Sequence, residues 1–185
     1  MIEYHFKALA FAVFLISVTV AGCVHTSPPP KQSGVASSAP AENVTPTRVG
    51  SINDYANIFE PLEKERLEFT ISELMTNYDL EFVLVTVKTT SPQSIFDYSL
   101  GLARDWKVGK NGRGLVLVLA IEDRNWRLQT SRVLEKDLPD DVCKKLAEPA
   151  VLLYKEGKYA MGIDSYVHAI GDRLHSQQPA RKAAL

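Results

Sequence analysis

The alternation of apolar and polar positions changes character near residue 49. Beyond it, Leu67, Ile71, Leu74, Met75 and Tyr78 recur at helical spacing among charged residues. That pattern predicts an amphipathic helix over 61–77, with Pro61 suited to its first turn. EFVLVTVK at 81–88 is β-branched and nearly all apolar, as expected of a central strand covered on both faces. A turn and a helix follow, carrying Ile95, Leu102 and Trp106, then a loop containing Gly109, Gly112 and Gly114. LVLVLAI at 115–121 is a second buried strand. Strand, helix and strand at this spacing make a βαβ unit with parallel strands and a right-handed crossover. NWRLQT at 125–130 alternates Trp126, Leu128 and Thr130 with Arg127 and Gln129, a half-exposed strand returning antiparallel through Glu122-Asp123-Arg124. Val142, Leu146 and Leu153 predict a helix capped by Asp140 and interrupted at Pro149. Tyr159, Ile163, Val167, Ile170 and Leu174 predict a last amphipathic helix. The expected fold is an α/β compact sandwich: a short mixed sheet, made of a βαβ unit plus an antiparallel hairpin strand, flanked by helices. It occupies 49–176 as one domain, and 177–185 is expected to be a disordered tail.

The segment before the domain has a different logic. Residues 8–20, ALAFAVFLISVTV, form an apolar run shorter than the ~20 residues that span a bilayer and typical of a signal-peptide core. Val20-Ala21-Gly22-Cys23 resembles the bacterial lipobox. The resemblance implies cleavage after residue 22 and lipid on Cys23. Acyl chains contribute about 0.8 kcal/mol per buried methylene, enough in combination to hold a soluble domain on a membrane. Val24 follows the cysteine in place of Asp, which in a Gram-negative host implies the outer membrane, facing the periplasm. Residues 24–47 are rich in Pro, Ser and Ala without apolar periodicity. With Cys23 and residue 48 they are expected to form a flexible tether, because such a chain buries too little surface to offset its ordering entropy.

Composition removes several function classes. A formal net charge of −1 offers no electrostatic case for nucleic acid. Loss of the signal leaves Cys143 beside Cys23, so the mature domain has no internal disulfide; Cys143 is expected to be a packed residue on a helix face. Gly109 and Gly114 have P-loop spacing, but Leu115 and Val116 stand where Lys and Ser/Thr are required. Neither a dinucleotide fingerprint nor a Gly-x-Ser-x-Gly elbow occurs in the sequence. His168 and His175 lie a heptad apart without a third His or Cys nearby, a poor zinc set.

The acidic residues leave two readings open. Asp54, Asp123 and Asp140 fall in predicted loops and helix starts. Hard cations such as calcium take oxygens from several loops, yet Asp also favours turns and caps for local reasons. A resemblance adds to this. Asn53-Asp54-Tyr55-Ala56, Trp106-Lys107-Val108-Gly109, Gly114-Leu115-Val116-Leu117, Asp123-Arg124, Leu134-Glu135, Leu138-Pro139-Asp140 and Gly157-Lys158-Tyr159 resemble, in order and spacing, the TPM domain family. The family implies an α/β sandwich. Its members include acid phosphatases, calcium binders and proteins acting through partners near membranes. By position its acidic cluster carries over to Asp54, Asp123 and Asp140. Two departures stand out: Ser131-Arg132-Val133 replaces a Gly-aromatic-Gly run, and Gly112-Arg113-Gly114 replaces Asp-Asn-Gly. Lost glycines restrict backbone approach, and Arg113 is expected to oppose a cation at the acidic cluster. The resulting expectation is a lipid-anchored envelope protein whose domain binds or supports an envelope protein partner without catalysis. The alternative is a weak metal-dependent acid phosphatase or calcium-binding domain, with calcium as cofactor and Asp54, Asp123 and Asp140 as catalytic or ligating candidates.

Overall fold

The computed structural model describes residues 45–109 and 111–183. Cys23 and the signal-like run lie outside the described residues. Four strands, β1 (Ile52–Asp54), β2 (Glu81–Val87), β3 (Gly114–Ala120) and β4 (Asn125–Thr130), form one sheet in the order β1-β2-β3-β4. β1, β2 and β3 are parallel, and β4 returns antiparallel to β3. Five helices complete the fold: α1 (Pro61–Tyr78), α2 (Ile95–Asp105), α3 (Asp140–Leu146), α4 (Glu148–Lys155) and α5 (Tyr159–Ala183). This is the expected α/β sandwich with a mixed sheet.

The two continuous apolar strands are explained by cover on both faces. Phe82, Leu84, Leu115, Leu117 and Leu119 point to one side and pack with Leu67, Ile71 and Leu74 of α1 and Ile163, Tyr166 and Ile170 of α5. Val83, Val85, Val116, Val118 and Ala120 point to the other and pack with Leu102 of α2. Large side chains thus face the helix layer with more to fill, and small ones face the single helix α2. Each fully buried Leu, Ile or Val contributes about 1.5–3 kcal/mol relative to exposure. β1 to β2 and β2 to β3 step the same way across the sheet, with α1 and α2 on opposite faces. The two crossovers therefore have opposite hands, and a right-handed sense cannot hold for both.

Several boundaries differ from expectation. β1 has three residues, too few to show periodicity. The N-cap of α3 is Pro139, extended at φ −66 and ψ 157, and Asp140 is already helical; Asp140 sits in the first turn and caps nothing. A break between α3 and α4 precedes Pro149, which occupies a first-turn position of α4. α5 runs on to Ala183, into the segment expected to be a tail, where Gln, Ala, Arg and Lys are good helix formers apart from Pro179.

Residues 45–50 form a strap on the domain. The Trp106 indole N–H donates to the Pro46 carbonyl at 3.0 Å, and the Tyr55 hydroxyl donates to the Thr47 carbonyl at 2.8 Å. Arg48 pairs with Glu81 at 2.6 Å, and Glu81 also accepts from the Gly109 amide at 2.7 Å. The Thr45 hydroxyl donates to Asp105. Glu81 begins β2 and Asp105 ends α2, so the chain joins the domain at the N-terminal edge of the parallel strands.

Candidate functional site

The C-terminal edge of those strands gathers two of the three candidate carboxylates. Asp54 closes β1 opposite Thr86 of β2. Its carboxylate accepts from the Ile58 amide at 3.0 Å and the Phe59 amide at 3.1 Å, and from the Thr86 hydroxyl. Asp54 therefore ties β1 to β2 and fixes the turn into α1.

Asp123 stands at the hairpin tip beyond β3. There the ladder continues past the strands, with the Ile121 amide donating to Val87 at 3.0 Å and the Glu122 amide to Lys88 at 2.8 Å. One Asp123 oxygen accepts from the Thr89 hydroxyl at 2.8 Å. The other accepts from the Thr90 amide at 2.8 Å and the Thr90 hydroxyl at 3.3 Å. The Thr90 amide, then the Thr89 hydroxyl, and last the Thr90 hydroxyl hold the carboxyl below its ordinary range against an opposing effect of burial. A charged acceptor bonded to a backbone N–H is favoured in its ionised form.

Asp54 and Asp123 thus grip one segment, residues 86–90, from either side. Sequence reasoning missed their partners Thr86, Thr89 and Thr90. Thr86 was absorbed into the apolar strand, although a hydroxyl in an otherwise aliphatic run is the signal that could have singled it out.

Asp140 is elsewhere. It lies beside β4, 3.8 Å from the Arg127 guanidinium, which itself covers the Phe96 ring at 4.6 Å. Arg127 pairs with Val118 in mid-strand. β1 and β4 are three strand spacings apart, about 14 Å. Among the described residues, no group of three or more His, Cys, Asp or Glu side chains assembles a metal-ligand cluster.

Arg113 also falls elsewhere, contrary to expectation. It immediately precedes β3, whereas Asp123 follows it. Seven strand residues at about 3.3 Å each separate the two ends by over 20 Å. Arg113 donates through Nε to the Tyr78 carbonyl at 3.3 Å. Ser131 is at the same far end: its hydroxyl donates to the Gly112 carbonyl at 2.8 Å and accepts from the Gly114 amide at 3.0 Å. Both departures from the family pattern thus lie at the N-terminal edge, and neither alters the surroundings of Asp54 or Asp123. The glycines there answer to packing: a Cβ on Gly114 would stand 2.7 Å from the Val108 carbonyl oxygen, and Gly109 has φ +83.

Residues 52–173, carrying this sheet and both carboxylates, match the TPM domain. The chain belongs to the TPM domain family. A solved N-terminal domain of a protein from P. gingivalis is similar, at 27% identity and TM-score 0.62, covering 68% of this chain and 82% of that one. The BA42 protein of the psychrophilic bacterium Bizionia argentinensis has 18% identity and TM-score 0.57, with coverages of 64% and 82%. The N-terminal domain of the cg2496 protein from Corynebacterium glutamicum has 11% identity and TM-score 0.55, with coverages of 70% and 83%; these last two likenesses concern the fold alone. No curated protein matches the chain.

In this TPM domain the C-terminal edge holds anionic charge in place without leaving it free. Both carboxylates already accept from three groups of the protein. For Asp123 the bonds from Thr90 and Thr89 favour the ionised form, which makes it a poor general base. Cys143 is no nucleophile either: it is buried, it donates to the Leu138 carbonyl at 3.4 Å, and burial pushes its thiol up to about 11.

Proposed function

We propose that this TPM domain serves as a non-catalytic module, held on the membrane by lipid on Cys23, that binds or supports a protein partner in the cell envelope. The observation that carries the reading is the engagement of Asp54 and Asp123, whose oxygens hold the β1–α1 turn and the hairpin tip instead of facing a substrate. The lipobox-like Val20-Ala21-Gly22-Cys23 supports membrane attachment, and in a Gram-negative host Val24 directs the protein to the outer membrane, facing the periplasm. A tethered domain samples a limited volume, which raises its effective concentration for a partner in the same membrane.

A second reading keeps one observation in its favour. Asp54 and Asp123 share the C-terminal edge of parallel strands, the end at which open α/β sheets bind ligands. Each carboxylate keeps unused lone pairs, so calcium binding or weak metal-dependent phosphatase activity is the alternative. Calorimetric titration of the full protein with calcium, and a phosphate monoester assay with added metals, decide between them. The non-catalytic reading expects flat titrations and no turnover. Tight calcium binding, or turnover abolished by Asp54→Asn and Asp123→Asn, overturns it. For membrane attachment, Cys23→Ser is expected to leave an unprocessed precursor without acyl label; normal processing and labelling of that variant removes the lipid anchor.

A further inference from the structure

A groove of about 750 Å³ opens beside the hairpin tip, between the β3–β4 turn and the α4–α5 connection. This volume is in the range of small-molecule sites. Its floor is apolar, formed by Leu119, Ile121 and Val151, and its walls are aromatic. Trp126 is held edge-on to Tyr166 at 5.6 Å, and Tyr159 is stacked on Tyr154 at 6.1 Å. The Tyr154 hydroxyl is buried in the wall without a hydrogen-bond partner among the described residues.

The rim is cationic. Arg124 and Lys155 line the groove, both exposed, and neither side chain has an ion-pair partner among the described residues. Arg124 occupies the left-handed region at φ +48, where glycine would be less strained. Turn geometry therefore gives no reason for an arginine there, whereas the groove gives its guanidinium a place. Glu156 stands on the same rim, its charge offset by Lys158 at 2.8 Å.

We propose that this groove binds a monocarboxylate carried on an aromatic or apolar body, the body against Trp126 and Tyr159 and the carboxylate at Arg124 and Lys155. Two unpaired cations beside an acid that is already paired suit a carboxylate, to which each can donate a charge-assisted hydrogen bond. The apolar floor and rigid aromatic walls supply contact area at little ordering cost. The site is separate from the Asp54–Asp123 cluster and stands whether or not the domain supports an envelope partner. The same chemistry is offered by a free aromatic acid and by the C-terminus of a polypeptide ending in an aromatic residue.

The test uses the full chain in lipid nanodiscs and saturation-transfer NMR, with empty nanodiscs as background. The probes are indole-3-acetate and the tripeptide acetyl-glycyl-glycyl-tryptophan, each beside its neutral amide. The acids are expected to receive saturation and the amides to receive about fivefold less or none, as loss of a charge-assisted contact requires. Arg124→Gly and Lys155→Met are each expected to weaken the acids by a similar factor. Arg124→Gly relieves a strained φ, so its thermal midpoint should not fall, which separates lost binding from lost folding. Transfer to the acid alone or to the peptide alone supports the site and identifies the source. Absence of transfer to either, equal transfer to acids and amides, or full binding in both variants overturns the proposal.

Discussion

Arg113 and Asp123 stand at opposite ends of β3, one before Gly114 and the other beyond Ala120. In the sequence they flank the same apolar run and look like parts of one loop system. In the fold a whole strand separates them. Arg113 reads the carbonyl of Tyr78, and Asp123 reads the threonines after β2. Any charge the arginine contributes is spent at the N-terminal edge, well beyond the Debye length of ~8 Å at physiological salt.

Asp54→Ala should destabilise the domain. The substitution strands the Ile58 and Phe59 amides and the Thr86 hydroxyl. An unsatisfied buried or half-buried donor costs about 1–3 kcal/mol, and that range is expected from urea unfolding with an unchanged slope. A loss below about 0.5 kcal/mol would show that water replaces the carboxylate and that Asp54 has no structural role.

Asp123 gives a pH signature. Its folded carboxyl is depressed below the usual 3.8, chiefly by the Thr90 amide. The contribution of its ionised form is fully present above the unfolded carboxylate value and is lost as pH falls through the folded one. A carboxyl-carbon NMR titration should find its midpoint below 3.8. Thr89→Val should raise that midpoint only in part, since the Thr90 amide remains. A midpoint at or above the usual value would show that the hairpin tip is not held as described.

Cys143 should be inert while the domain is folded. With its thiol raised from 9.0 to about 11, the thiolate is roughly 100-fold scarcer at a given pH below 9 than in the unfolded chain, and the thiolate is the reacting form. Iodoacetamide at pH 8 should therefore label it only as fast as the domain opens. Labelling at the unfolded rate in native buffer would contradict its burial.

Gly114→Ala should cost about 2–4 kcal/mol. The added Cβ meets the backbone of Val108 at 2.7 Å and of Gly109 at 2.9 Å, and backbone cannot step aside as a side-chain tip can. Gly101→Ala, where nothing lies within 4 Å, is the matched control and should be neutral or slightly stabilising. Equal effects at the two positions would remove the close approach as the reason for Gly114.

The elements that periodicity revealed are those whose burial repeats along the chain. β2 and β3 were legible because helices cover both faces, and β4 because one of its faces alternates. β1 was not, since three residues carry no period and its place is set by pairing with Leu84, Val85 and Thr86. Asp54 and Asp123 were legible as candidates because the resemblance carries an acidic cluster to their positions. Their threonine partners were not, because those bonds join residues 32 to 34 apart in the chain. Asp140 looked equivalent to the other two in sequence, yet the β4 edge gives it Arg127 instead. Lys155 and Tyr159 reach the hairpin groove from a separate helix pair, a convergence that depends on how α4 and α5 pack.

The strap at residues 45–50 has a mechanical consequence. A pull on the chain ahead of Thr45 is met first by Asp105, the Trp106 indole and the Arg48–Glu81 pair. These fastenings, together with the Tyr55 hydroxyl on the Thr47 carbonyl, spread the load over the end of α2, the residue after β1 and the start of β2. Force is thus shunted into the centre of the domain, where neighbouring strands and helices share it. The hairpin tip, at the opposite edge, carries none of these fastenings.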